Sequence, residues 1–166
     1  MKALSLALIL CLPPGVSHAR CAVSQPVARS LTLNCMADAA REQDVPLAAL
    51  VGILAAEGGK VGEAQRNDNG SWDLGPFQVN TCNLNDLACH GFTPEAILRD
   101  GCVNARAAAR LLRRECDRAG NIWDAIGAYH SRTPKFRDAY IAKVKKRLIR
   151  MARMERNSRQ PDGVLP

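Results

Sequence analysis

Glu57 is the residue of this sequence whose position best suits acid–base chemistry. It ends the apolar run 50–57, and Gly58 and Gly59 follow it directly. Because glycine accepts the left-handed conformation that closes a helix, we predict that Glu57 lies in a last helical turn. Apolar neighbours and the negative end of the helix dipole both raise a carboxyl pKa. Glu57 is therefore a candidate general acid for glycoside cleavage, although a solvated helix end that carries a glutamate is the simpler alternative.

Two further polar side chains could serve a sugar-binding site. Gln78, in the segment GPFQVN, offers both a donor and an acceptor, which suits an acetamido sugar. Tyr129, in GAYHS, could direct a phenol toward a carboxyl or a sugar. Each has an ordinary alternative: Gln78 as an exposed residue of an extended segment, and Tyr129 as a core tyrosine with a satisfied hydroxyl. No serine, cysteine or lysine has surroundings as specific, so nucleophilic acyl transfer fits poorly.

The elements that must position these residues are helices. Apolar spacing and capping residues predict helices over 30–43, 47–57, 102–118 and 121–129, a short helix beginning at Thr93–Pro94 and a last helix beginning at Pro134. The last helix carries an apolar stripe of Tyr140, Val144, Leu148 and Met151. Strand patterns are scarce, and only 72–80 has enough aromatic and β-branched residues for a short hairpin or an irregular extended piece. The sequence predicts an all-α domain with an irregular centre.

Residues 1–19 have the pattern of a secretory signal peptide. A positive start and an apolar run precede a small-x-small cleavage site that ends at Ala19. The apolar run is too short to cross a bilayer, so we predict cleavage after Ala19 and export to the periplasm or cell envelope. We expect one domain over 20–156, no transmembrane segment in the mature chain and a disordered tail over 157–166.

The positive charge is concentrated near the carboxyl end. The chain carries a net charge of +7, and the range 135–159 holds ten lysines and arginines against two acidic residues. Such a segment suits an anionic partner, namely a cell-wall polymer, a membrane surface or nucleic acid. Export makes nucleic acid the poorest fit of these, so we expect no nucleic-acid partner. A solvated helix face explains the same charges equally well.

The cysteine count predicts disulfides. Of seven cysteines, Cys11 lies in the signal peptide and six remain. Cys102 and Cys116 lie about 21 Å apart along one predicted helix, too far to pair with each other. We predict the pairs Cys35–Cys102, Cys82–Cys89 and Cys21–Cys116. No Cys-x-x-Cys pair occurs and the three histidines form no ligand pair, so we expect no metal site.

The order of the segments resembles the soluble-lytic-transglycosylase type of lysozyme-like domain. It is most similar to the small single-domain members that accompany conjugation, type IV pilus and specialised secretion machines. Their pattern is Glu-Ser-Gly at a helix end, then Gly-Leu-Met-Gln-Ile-Asn, then Ala-Tyr-Asn-x-Gly. The matching segments here are EGG at 57–59, DLGPFQVN at 73–80 and AYHSR at 128–132, and DGCVNARAAARLL at 100–112 resembles the family helix that follows an Asp-Pro-x-x-Asn-Ile start. The likeness covers roughly 33–144.

The resemblance implies a lysozyme-like fold and cleavage of the β-1,4 bond between N-acetylmuramic acid and N-acetylglucosamine, without metal or cofactor. Glu57 would protonate the leaving oxygen and then accept the proton of the muramyl 6-hydroxyl as it attacks the anomeric carbon, which leaves a 1,6-anhydro end. The residues expected to bind the glycan are Gln78, Tyr129, Asn80, Ser131 and Phe77. The expected role is to open the wall locally for an envelope-spanning secretion, conjugation or pilus apparatus, whose components are possible partners.

Departures from the family pattern keep alternatives open. Asp73 could be a second carboxylate and make the protein a hydrolytic lysozyme. Gly58 replaces the family serine, so we expect support for Glu57 from Tyr129 or Ser131. Pro76–Phe77 replaces the family Leu-Met and changes the floor of the groove. The altered residues beside Glu57 and Tyr129, namely Gly58 and the pair His130 and Arg132 in place of Asn and Gly, motivate a second alternative, a catalytically weakened glycan-binding subunit. A basic, disulfide-rich antibacterial protein that acts on membranes is the third.

Overall fold

A computed structural model describes residues 28–159. The predicted signal peptide, Cys21 and residues 160–166 lie outside the described residues. The elements within 28–159 are α1 (Leu33–Glu42), α2 (Leu47–Glu57), β1 (Ala64–Arg66), β2 (Trp72–Leu74), β3 (Val79–Asn80), α3 (Leu84–Ala88), α4 (Pro94–Arg99), α5 (Gly101–Ala119), α6 (Ile122–His130) and α7 (Pro134–Arg159). The prediction of an α-rich, lysozyme-like fold with a short hairpin near 72–80 is confirmed.

The strands form a small antiparallel sheet in the order β1–β2–β3. Gln65 pairs with Asp73, and Asp73 pairs with Asn80 across the second ladder. The sequence predicted only the later part of this sheet, because β1 lies in the polar segment that we expected to be a loop. Its residues are all exposed and show no apolar alternation.

Short-range capping explains where the helices begin and end. The Thr32 hydroxyl accepts a hydrogen bond from the amide of Cys35 at the start of α1, and the Asp100 carboxylate accepts from the amides of Cys102 and Val103 at the start of α5. α2 ends at Gly58, whose φ of 70° is the left-handed conformation expected of a helix stop. Glu57 therefore lies in the last turn of α2, as the sequence predicts.

α5 forms the centre of the core. Small buried side chains, among them Ala105, Ala107, Ala108 and Ala109, allow α1, α4 and α6 to pack closely against it. α7 packs across α2 and α6. At the crossing with α2, a Cβ built on Gly52 would lie 2.8 Å from Val144 Cγ1, so the two helices approach closely only because position 52 has no side chain. This packing brings the amino-terminal part of α7, which includes Tyr140, to the carboxyl end of α2.

The carboxyl half of α7 leaves the core. Tyr140 and Val144 are buried and Leu148 packs against the core, but Met151, which we expected in the same stripe, is 44% exposed. The helix also continues to Arg159, so residues 157–159 of the predicted disordered tail are helical. The run of helix-compatible residues with few helix breakers accounts for the continuation.

The predicted disulfide Cys35–Cys102 is confirmed and joins α1 to the start of α5, with the two Cα atoms 5.0 Å apart. The predicted pair Cys82–Cys89 is wrong, because both thiols are free. A 3-10 turn and α3 fill the interval between them, and seven residues of helix span about 10 Å or more, which is too far for a disulfide. Cys116 has no disulfide partner among residues 28–159, and its predicted partner Cys21 lies outside the described residues, so this pair stays a prediction.

Within residues 28–159, no helix is both long and apolar enough to span a bilayer. The same range contains no group of three or more side chains of the kinds that could hold a metal ion.

Candidate active site

Glu57 lies in a groove of about 760 Å³ that also receives side chains from the sheet, α5 and the end of α6. Other lining residues are Asp73, Gln78, Asn80, Tyr129 and Ser131. Except for Phe77, every residue that the sequence predicted for substrate binding lines this groove. The family-like segments, which are far apart in the sequence, therefore contribute to a single surface.

The Glu57 carboxyl is half-buried and is held by one phenol. Tyr140 Oη donates a hydrogen bond of 2.5 Å to Glu57 Oε1. Burial raises the pKa of Glu57, and the nearby charge of Asp73 acts in the same direction. The Tyr140 hydrogen bond and the charges of His130 and Lys143 oppose this but do not outweigh burial, so the pKa remains above its ordinary value. Glu57 has the environment of a general acid.

The support for Glu57 comes from a residue that sequence reasoning missed. We expected Tyr129 or Ser131 to supply it, but Tyr129 Oη donates to the Phe77 carbonyl oxygen at 2.9 Å, and Ser131 Oγ accepts from the amide of Thr133. Tyr140 supplies it instead, with its ring stacked on His130 at a centroid distance of 4.6 Å. Burial raises the pKa of Tyr140, so the phenol stays protonated as a donor. The only indication in the sequence was a hydroxyl in an otherwise aliphatic stripe.

The Gln78 segment packs closely against Gly59, just after the end of α2. Gln78 has a φ of 48°, and its Nε2 donates to the Gly75 carbonyl oxygen at 2.8 Å. A Cβ on Gly59 would lie 2.2 Å from that carbonyl oxygen and 2.4 Å from Gln78 Nε2. Glycine at position 59 is thus a condition for Gln78 to lie beside Glu57.

Asn104, from α5, fixes the same segment from below. Its side chain is fully buried, its Oδ1 accepts from the amide of Phe77 at 2.9 Å, and its Nδ2 donates to the carbonyl oxygens of Leu74 and Ile97. One amide side chain therefore satisfies three buried backbone groups, one each from β2, from the turn between β2 and β3, and from α4.

Phe77 was predicted to bind substrate, and the structure corrects this. Its side chain is fully buried in the core, so it cannot contact a ligand in the groove. Its contribution to the site is indirect, through the backbone carbonyl that accepts from Tyr129. The apolar side chain fills the space beneath the segment, while the following residue, Gln78, faces the groove.

Asp73 is held in place by Asn80. Asn80 Nδ2 donates to Asp73 Oδ1 at 2.7 Å and to Ser71 Oγ at 2.9 Å, across the β2–β3 pair. Both residues line the groove that contains Glu57. Asp73 thus acts on Glu57 through its charge, and Asn80 orients Asp73 as well as presenting polar atoms to the groove.

A buried carboxylate, Glu115, closes one side of the groove and was not predicted. It is 2% exposed and accepts hydrogen bonds from Arg114, Arg118 and Arg132, the last through both Nε and Nη2. Burial alone would raise the pKa of Glu115, but the hydrogen bonds from Arg132 and Arg114 hold it below its ordinary value. The network attaches the α6–α7 connection to α5.

We expect Glu115→Gln to reduce the free energy of unfolding by about 1–3 kcal/mol near neutral pH, because arginines lose their ionised partner but remain partly solvated. Because the pKa of Glu115 is lower in the folded than in the unfolded chain, its ionised carboxylate stabilises the folded state at pH values above the unfolded-state pKa. This stabilisation is lost as the pH falls through the folded-state pKa. The difference in free energy of unfolding between the variant and the parent should therefore disappear in acid. Urea unfolding at several pH values measures it, with Asp117→Asn, which removes an exposed ion pair to Arg113, as the control. A difference in free energy of unfolding that does not change with pH would contradict a stabilising role of the ionised Glu115 carboxylate.

Comparison with known proteins agrees with this geometry. The sequence model of the family described as the transglycosylase SLT domain matches residues 34–150. The protein IpgF of Shigella flexneri is 30% identical over 124 residues, which cover 72% of this chain and 82% of IpgF. The invasion protein IagB of Salmonella typhi is 32% identical over 107 residues, or 60% of this chain and 67% of IagB. Since the family model covers most of the chain and includes every groove residue named above, this chain belongs to the transglycosylase SLT domain family.

Proposed function

We propose that this protein is a peptidoglycan lytic transglycosylase that cleaves the β-1,4 bond between N-acetylmuramic acid and N-acetylglucosamine. The observation that carries the proposal is the half-buried Glu57 carboxyl, with its raised pKa, held by Tyr140 in a groove lined by Gln78 and Tyr129. An open groove that contains a carboxyl of raised pKa and several amide and hydroxyl groups suits a glycan chain.

In the proposed mechanism one carboxyl acts twice. Tyr140 occupies Oε1 of Glu57, so Oε2 is the oxygen that carries the proton to the glycosidic oxygen. After the bond breaks, Glu57 is a carboxylate, and the substrate's acetamido group helps to stabilise the positive anomeric carbon. Glu57 then takes the proton of the muramyl 6-hydroxyl as that oxygen attacks the anomeric carbon. The products are a new non-reducing end and a 1,6-anhydromuramyl end.

The position of Tyr140 supports an active enzyme over a weakened binding subunit. Gly58 lacks the hydroxyl that the family pattern offers beside the glutamate. The phenol of Tyr140 reaches Glu57 from α7 and can orient the carboxyl without that hydroxyl. The departure at position 58 therefore does not by itself remove the support that a general acid requires.

The mass of the released fragments distinguishes this reaction from hydrolysis. We expect the purified protein to release muropeptides that are lighter by one water than hydrolysed fragments, because the 6-hydroxyl replaces water as the nucleophile. Mass spectrometry of digested sacculi measures this directly, with a hydrolytic lysozyme digest as the reference. Full reducing ends would instead assign Asp73, which lines the same groove, as the second carboxylate of a hydrolase.

We further propose that the cleavage opens the wall locally for an envelope-spanning apparatus, such as a secretion, conjugation or pilus machine. The similarity to a relative named as an invasion protein supports this role, as does the signal peptide predicted at residues 1–19. A strain that lacks the protein should assemble or use such an apparatus less efficiently, and the Glu57→Gln variant should not restore it.

A further inference from the structure

Arg132 is a cation in the groove that the proposed reaction does not use. It follows α6, lines the groove and is 61% exposed at its side chain. Both of its hydrogen bonds within residues 28–159 go to Glu115, from Nη2 at 2.8 Å and from Nε at 3.0 Å. The bidentate contact fixes the plane of the guanidinium, and Nη1 has no hydrogen-bond partner within residues 28–159.

The neighbouring arginines are not available in the same way. All three guanidinium nitrogens of Arg114 donate to protein acceptors, namely Glu115, Asp86 and Asn83. Arg118 donates to Glu115 but is absent from the residues that line the groove. Three guanidinium groups thus meet two carboxylates, Glu115 and Asp86, in this ion-pair network, and among the three arginines Arg132 has the most exposed side chain.

The other charges of the groove come from different elements. The acidic groups Glu57, Asp68 and Asp73 belong to α2 and the β1–β2 hairpin, whereas Arg132 and the exposed His130 belong to the end of α6 and the residues after it. On the wall formed by α5 and the end of α6, Arg132 is exposed and its partner Glu115 is buried, so a ligand there meets the guanidinium, whereas the other wall presents acidic groups. This arrangement selects for a negative charge at a defined place on the ligand.

We propose that Arg132 binds a carboxylate of the peptide stem that branches from the glycan strand, and so makes the protein selective for stem-bearing peptidoglycan. This inference rests on the proposed function. The sugars of an intact strand carry no charge, because the muramyl lactyl group is in amide linkage to the stem, and the carboxylates of the strand are those of its stems. A preorganised guanidinium with a free donor is well suited to one of them.

The test compares two forms of the same strands, one with free stem carboxylates and one with these groups converted to amides. For the parent we expect kcat/KM on the free form to exceed that on the amidated form by about tenfold, through KM, which is the size expected of one partly exposed charge-assisted hydrogen bond. In Arg132→Gln this ratio should fall to about one. Arg118→Gln, which removes another arginine from Glu115 but none from the groove, should keep the parental ratio.

Each outcome has a distinct meaning. The role of Arg132 is overturned if the parent has equal kcat/KM on both forms. It is also overturned if Arg132→Gln keeps the parental ratio of kcat/KM between the free and amidated forms. Either result leaves the proposed function intact. A parent that cleaves neither form overturns the proposed function itself. A third substrate, strands freed of their stems by an amidase, carries only lactyl carboxylates. An Arg132-dependent preference for these strands over the stem-bearing strands would assign the carboxylate to the lactyl group and overturn the assignment to the stem.

Discussion

Glu57→Gln is expected to lower the rate of glycan cleavage by about a thousandfold or more, because the amide can neither donate the proton that releases the leaving oxygen nor accept one from the 6-hydroxyl. Gln remains able to accept the hydrogen bond from Tyr140, so the groove should keep its shape. The measurement is the rate of release of soluble fragments from labelled sacculi. Glu63→Gln, which alters an exposed carboxyl paired with Lys60 outside the groove lining, is the matched control.

The same variant should unfold at a higher temperature than the parent near neutral pH. Burial raises the pKa of Glu57, so the unfolded chain releases the proton more readily than the folded one, and the folded state loses relative stability as pH rises through the carboxyl range. Glutamine does not ionise, so the difference in melting temperature should disappear in acid. An inactive variant that also fails to fold would not test the role, whereas a folded variant with near-parental rate would refute it.

Asn104→Ala is expected to reduce the free energy of unfolding by about 3–5 kcal/mol, which is one of the largest effects available to a single polar residue. The change leaves the Phe77 amide and the carbonyl oxygens of Leu74 and Ile97 buried without their partner. It also creates a cavity beneath the segment that carries Gln78. We therefore expect cleavage to fall even under conditions in which the variant is folded.

Urea unfolding of the parent and variant measures the loss in stability. Asn85→Ala is the control, since this asparagine lies on an exposed position of α3 and should change stability by less than about 0.5 kcal/mol. Asn104→Asp separates the contributions, because it keeps the acceptor for Phe77 and loses the donor to Leu74 and Ile97. A loss below about 1 kcal/mol in Asn104→Ala would show that the three backbone groups find other partners.

Features set by neighbours in the sequence were predictable. The end of α2 at Gly58, the caps of α1 and α5, and the acidic candidate Glu57 follow from local residue order. The disulfide Cys35–Cys102 could be proposed once the two helices were recognised. In each case the decisive interaction is short-range, or is one of a few pairings that the residue type allows.

Features set by the packing of distant segments could not be predicted from the sequence. Tyr140 and Glu57 are separated by 83 positions, and only the crossing of α7 over α2 brings the phenol to the carboxyl. Glu115 has the sequence environment of a surface residue among arginines, and it is buried because Arg132 folds back over it. The prediction of the pair Cys82–Cys89 was wrong for a related reason. Two cysteines seven residues apart can meet when a loop joins them, but helical turns between them hold them too far apart.

The close approach of α7 to α2 at Gly52 has a consequence for how the sequence can diverge. Any side chain at position 52 must displace Val144 or Leu148, and Tyr140 lies one helical turn before Val144 on the same helix. A substitution in α2 would thus lengthen the Tyr140–Glu57 hydrogen bond without touching either residue. Positions 52 and 144 are therefore expected to vary together during evolution, with a larger residue at one compensated by a smaller residue at the other.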